Sequence, residues 1–76
     1  MTIVRVGIEL SKSVFHVHAV DGTERSVLQR MMTRPELRRF PALTSPCSVA
    51  MESCASAFHW ARYAATCGHR TQIIAS

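Results

Sequence analysis

The sequence predicts an α/β fold, a mixed five-stranded sheet with two helices. Three observations carry this expectation. Apolar residues alternate with period two through residues 3–10 and 14–20. The capping signal Thr33-Arg34-Pro35-Glu36 then changes the period. A helix-length apolar stripe over residues 53–67 is bracketed by short apolar runs at 47–52 and 71–75.

The elements follow in order. In residues 3–10, Val4, Val6, Ile8 and Leu10 face one way, and Ile3, Arg5, Gly7 and Glu9 the other. Ser11-Lys12-Ser13 is a polar break, and residues 14–20 form the second strand of a hairpin. Asp21-Gly22 is a turn signal, and residues 24–32 supply a third strand. Thr33 caps the first helix, Pro35 sits in its first turn, and Glu36 completes a capping box. Leu37 and Phe40 follow at helical spacing, and Pro41 limits or bends the helix. Residues 47–52 read as a buried strand. In the helix over 53–67, Phe58, Ala61 and Ala65 make an apolar stripe widened by Ala57, Trp60 and Ala64. Ser56, His59, Arg62 and Thr66 make the polar one. Gly68 is the stop, and residues 71–75 are the fifth strand.

Composition bounds the function. The chain has 76 residues and a formal net charge of +4, with 47% hydrophobic and 18% charged residues. It is too short for two domains and too apolar for a disordered tail. It has neither a membrane-length apolar run nor the pattern of a signal peptide. Cys47, Cys54 and Cys67 match no disulfide framework and read as reduced thiols, so a cytoplasmic location is expected. The basic excess is compatible with nucleic acid.

Right-handed crossovers set the fourth and fifth strands parallel to the first. With the fourth beside the first, the order is 3-2-1-4-5, the ribonuclease H-like arrangement; a generic small α+β sandwich is the alternative. Glu9 and Glu52 then end neighbouring strands about 4.8 Å apart. Adjacent carboxylates repel unless one is protonated or a cation lies between them. A divalent metal would satisfy both, and pairing with Lys12 or an arginine is the alternative.

Two stretches carry a family resemblance. Gly7-Ile8-Glu9-Leu10-Ser11-Lys12 with Phe15-His16-Val17-His18 is the first. Val49-Ala50-Met51-Glu52-Ser53-Cys54, followed by Ala57-Phe58-His59-Trp60-Ala61-Arg62 and Gly68-His69, is the second. In order and spacing they resemble the bacterial insertion-sequence family one-ten transposases, which have a RuvC-like domain with four acidic residues and include pilin-gene invertases. The resemblance implies that residues 1–76 are the N-terminal part of such a catalytic domain. Glu9 and Glu52 would be the first two acids of a site for Mg²⁺ or Mn²⁺. The implied reaction is metal-dependent DNA strand cleavage and exchange, in some members with a structured guide RNA and in association with other transposase subunits.

Two departures from the family pattern stand out. Glu9 replaces an Asp, and its extra methylene moves the carboxylate outward by more than about 1 Å. Phe58 replaces a usual His. The family's remaining acids and its serine domain would lie beyond Ser76, so an incomplete domain, inactive alone, is expected. Lys12, His59 and Arg62 are candidate nucleic-acid contacts. A non-catalytic fragment that binds nucleic acid or transposase is one competing reading. A nucleotide-binding fragment of the actin-like or sugar-kinase type is the other, and the lack of Gly in Leu10-Ser11-Lys12-Ser13 argues against it. His16 and His18 share a strand face, but no zinc motif accompanies them.

Overall fold

Alternation through residues 3–33 produces three strands whose buried side chains share one face. The computed structural model describes residues 2–10, 13–53 and 56–74. Its elements are β1 (Ile3–Glu9), β2 (Val14–Asp21), β3 (Ser26–Thr33), α1 (Arg34–Leu43), β4 (Ser48–Glu52), α2 (Ala57–Thr66) and β5 (Arg70–Ile74). The sheet order is β3-β2-β1-β4-β5, as the sequence predicts. β1, β2 and β3 run antiparallel, while β4 and β5 run parallel to β1.

Both helices lie on one face of the sheet. Val6, Ile8, Phe15, Val17, Ala19, Met32, Val49 and Met51 point toward them and meet Leu37 from α1 and Trp60, Ala61 and Ala64 from α2. Trp60 sits edge-on to Phe15, with ring centroids 5.7 Å apart, a favoured aromatic geometry. The opposite face has no helix over it among the described residues. Arg5, Gly7, Glu9, His16, His18, Gln29 and Met31 are all exposed there.

The capping box forms as predicted. The Glu36 carboxylate accepts hydrogen bonds from the Thr33 backbone N–H at 3.0 Å and from its hydroxyl at 2.9 Å. It also pairs with Arg30. These donors hold the Glu36 carboxyl below its usual range, the Thr33 backbone N–H contributing most. Pro41 does not end α1, which runs two residues further to Leu43. Pro41 is buried, and as a proline it leaves out one intrahelical hydrogen bond.

At the other end of β2, the Asp21 carboxylate organises the turn. One oxygen accepts from the Thr23 N–H at 2.8 Å, the Thr23 hydroxyl at 2.7 Å and the Arg25 N–H at 3.1 Å. The residue with left-handed backbone there is Glu24, at φ 68°, and not Gly22.

The second helix departs from the sequence expectation at its start and on its apolar side. Ser53 donates its N–H to the Ile74 carbonyl at 2.8 Å, so it prolongs the sheet ladder, and α2 begins at Ala57. Cys54 lies outside the described residues. The buried stripe is Ala57, Trp60, Ala61 and Ala64. Phe58 is 67% exposed and Ala65 is also exposed, so neither belongs to it.

Gly68 ends the helix as predicted. Its φ of 96° is the left-handed conformation that glycine adopts without steric cost. The Gly68 N–H reaches the Ala65 carbonyl at 3.0 Å and the His69 N–H reaches Ala64 at 3.2 Å, a Schellman closure. Cys47 and Cys67 are free thiols, both half-buried. Burial pushes the Cys47 thiol up. Among the described residues no helix is long and apolar enough to cross a membrane.

Candidate functional site

The open face of the sheet carries the residues of interest in a defined row. Ile8 pairs with Met51 across the parallel β1–β4 ladder, so Glu9 and Glu52 are the next residues along their strands. Both are exposed, and each ends its strand. Glu9 is opposite His16, His16 is opposite Met31, and Glu52 is opposite Ile74. The row across the sheet is therefore Met31, His16, Glu9, Glu52, Ile74.

Of this row, His16, Glu9, Glu52 and Ile74 border a concavity of about 410 Å³. Glu9, Glu52, His16, His18, Gly7 and Ala50 are among its lining residues. Neither carboxylate makes an ion pair among the described residues. Lys12, the suggested partner, lies outside them, as does Ser11 of the hairpin break. Strand spacing sets the Glu9 and Glu52 backbones about 4.8 Å apart.

The donor set bears on which ion would suit the place. Carboxylate oxygens are hard ligands matched to Mg²⁺ or Mn²⁺. Magnesium commonly takes one or two protein carboxylates and completes its shell with water and phosphate oxygens. Two adjacent, exposed carboxylates fit that requirement. Among the described residues no group of three His, Cys, Asp or Glu side chains is arranged to hold a metal ion. The described part of the site is thus an open carboxylate pair and not a closed cage.

The remaining candidates fall elsewhere. His59 and Arg62 are exposed on α2, and the sheet lies between them and the carboxylate pair. His59 packs against Trp60, ring centroids 5.3 Å apart at 79°. Trp60 itself is core, 5% exposed.

Sequence reasoning missed two relationships. The first is His16 beside Glu9. Counting outward from the hairpin break, every β1–β2 pair from Val6 to Glu9 sums to 25, which was available from the sequence. The second is His69, which is buried. Its Nδ1 accepts the Cys47 N–H at 3.1 Å and its Nε2–H donates to the Pro41 carbonyl at 2.7 Å. Nothing in the sequence distinguishes this histidine from a surface one.

No family model matches the chain. Similarity to curated proteins is clear. A protein of Pseudomonas aeruginosa described as a family 20 transposase is 44% identical over 75 residues, covering 99% of this chain and 22% of its own length. A transposase of Sinorhizobium fredii is 38% identical over 73 residues, or 96% of this chain and 19% of that protein. The transposase for insertion sequence element IS1328 of Yersinia enterocolitica is 39% identical over 69 residues, or 91% and 21%. Over nearly all its length the chain is similar to transposases, and it spans about a fifth of the length of these relatives.

Proposed function

We propose that this chain is the N-terminal part of a RuvC-like, ribonuclease H-like transposase domain acting on DNA, with Glu9 and Glu52 as the first two carboxylates of its metal site. The observation that supports this reading is the carboxylate pair at the ends of parallel neighbours β1 and β4. Its support in kinship is the transposase similarity, which extends over both strands.

In this reading the two glutamates would hold Mg²⁺ or Mn²⁺. Such an ion, when bound, supplies charge neutralisation at a phosphodiester undergoing displacement. The chain's own contribution is rigid placement. Each glutamate ends a strand whose preceding residue, Ile8 or Met51, is anchored in the core, so the pair is held in register. His16, opposite Glu9, presents a hydrogen-bonding ring at the edge of the pair. Two carboxylates leave a metal largely solvated, so the 76 residues by themselves bind a divalent ion weakly and do not cut DNA.

The test is Mn²⁺ binding followed by electron paramagnetic resonance, with a DNA-nicking assay in parallel. Weak Mn²⁺ binding that is lost in both Glu9→Gln and Glu52→Gln, with no nicking, is expected. Mn²⁺ binding unchanged in either variant overturns the assignment. Nicking by the chain that disappears in Glu52→Gln overturns the claim of inactivity.

A further inference from the structure

Glu9 stands between two polar neighbours in its row. On one side is Glu52, on the next parallel strand. On the other is His16, its direct partner across the antiparallel β1–β2 ladder. Directly opposite residues of such a pair point to the same face, with Cβ atoms about 4.5–5.5 Å apart. A carboxylate on one and an imidazole on the other are then within hydrogen-bond reach. Both side chains border the same concavity.

The backbone on each side is fixed. His16 lies between Phe15 and Val17, Glu9 follows Ile8, and all three apolar residues are buried in the core. Neither the ring nor the carboxylate is committed to another partner among the described residues. His18 is the second histidine on this face, but it is opposite Gly7, and its Nε2 is 3.2 Å from the Ser26 hydroxyl. Of the row Met31, His16, Glu9, Glu52, Ile74, only His16 carries a side-chain N–H. The pairing is internal to the sheet, so it does not depend on what lies over this face.

Two adjacent carboxylates repel, and a free glutamate has rotamer freedom through which to swing away. A donor on the far side of Glu9 opposes both effects. Carboxylates that ligate metals are commonly held by such a hydrogen bond, and losing the partner typically costs about 10–100-fold in metal affinity.

We infer that His16 is a positioning residue for Glu9. Its ring N–H donates to the Glu9 carboxylate on the side away from Glu52 and holds that carboxylate in place for a divalent ion shared with Glu52. The ring is not itself a ligand. The inference rests on the metal-site reading above for the ion, but the hydrogen bond between His16 and Glu9 is a property of the chain alone.

The experiment uses the whole chain and has two arms. In EDTA at neutral pH, ¹³C NMR follows the side-chain carboxyl carbons of Glu9 and Glu52. His16→Ala is expected to move the Glu9 signal and leave the Glu52 signal in place. His16→Gln keeps an N–H donor and is expected to restore most of the shift. In Mn²⁺, followed by electron paramagnetic resonance, His16→Ala is expected to weaken binding about tenfold, and His16→Gln and His18→Ala by less than about threefold. Pulsed spectra of the native chain are expected to show no ¹⁴N modulation. Position 16 is exposed, so both of its variants should melt with the native chain.

A Glu9 signal that ignores His16→Ala would overturn the hydrogen bond, whatever the metal does. Unchanged Mn²⁺ affinity in His16→Ala, with binding abolished in Glu9→Gln and Glu52→Gln, would overturn the positioning role and leave the metal-site reading standing. ¹⁴N modulation would make the ring a ligand and overturn the positioning role as well. Mn²⁺ binding indifferent to both glutamate variants would overturn the metal-site reading and the positioning role with it, while the EDTA arm still decides the hydrogen bond.

Discussion

The Nε2–H of His69 donates to the carbonyl oxygen of Pro41 at 2.7 Å. Pro41 is in the last turn of α1, where helix carbonyls lack partners from their own helix. The same ring accepts the Cys47 N–H at the entry to β4. One buried imidazole thus joins the end of α1, the start of β4 and the start of β5. The two contacts need opposite roles from the two nitrogens, which selects the neutral tautomer with its proton on Nε2. His69→Ala leaves a part-buried donor, the Cys47 N–H, and a buried acceptor, the Pro41 carbonyl, without their partner, at about 1–3 kcal/mol for a fully buried group and less for the donor. We expect a total loss of about 3 kcal/mol and a fall in Tm of roughly 10–20 °C, read by thermal denaturation. A loss under about 1 kcal/mol would mean that water replaces the ring.

Trp60 gives the second prediction. It is 5% exposed, edge-on to Phe15 at 5.7 Å and to Tyr63 at 6.2 Å. Trp60→Ala removes the largest side chain between α2 and the sheet and should cost about 3–5 kcal/mol, enough to unfold a domain of this size. Trp60→Phe keeps most of the packing and should stay folded. Because Trp60 is the sole tryptophan, its emission in the native chain should be blue-shifted and move red on denaturation. Emission already at the solvent-exposed wavelength would contradict this burial.

How much of this was legible beforehand depends on the range of the determining contact. The strand order follows from local periods plus crossover handedness, so β3-β2-β1-β4-β5 was readable. So was the Glu9–Glu52 adjacency, which needs only strand ends and that order. The start of α2 was not, because Ser53 is claimed by a bond to Ile74, 21 residues away. Phe58 misled for a different reason: it is apolar at a plausible helical position, but the turn of α2 that faces the sheet is set by Ala57, Trp60, Ala61 and Ala64. His69 was illegible because its partners, Pro41 and Cys47, come from elements that only folding brings together.

The exposed position of Phe58 is testable. At 67% exposure it contributes little to the core. Phe58→Ser should change stability by no more than about 0.5 kcal/mol, whereas Ala61→Ser, in the buried stripe, should cost more. Chemical denaturation of both variants decides it. A loss of about 2 kcal/mol or more in Phe58→Ser would return this residue to the apolar stripe.

The acid response of the fold is the last prediction. Asp21 is held below its ordinary range, first by the Thr23 hydroxyl and then by the Thr23 and Arg25 backbone N–H groups. Glu36 is held down first by the Thr33 backbone N–H and then by its hydroxyl. In both cases the unfolded chain binds protons more readily than the folded one, so stability rises with pH through the carboxylate range. The contribution is fully present above the ordinary carboxylate values of 3.8 and 4.5. It disappears as pH falls through the lower folded values. Thermal melts across this window should therefore show Tm dropping on acidification. Asp21→Asn keeps an acceptor oxygen for the turn but cannot titrate. It should lower Tm at neutral pH while flattening the acid slope, and Glu36→Gln should do the same at the helix cap. An unchanged slope in the double variant would overturn the assignment of the acid response to Asp21 and Glu36.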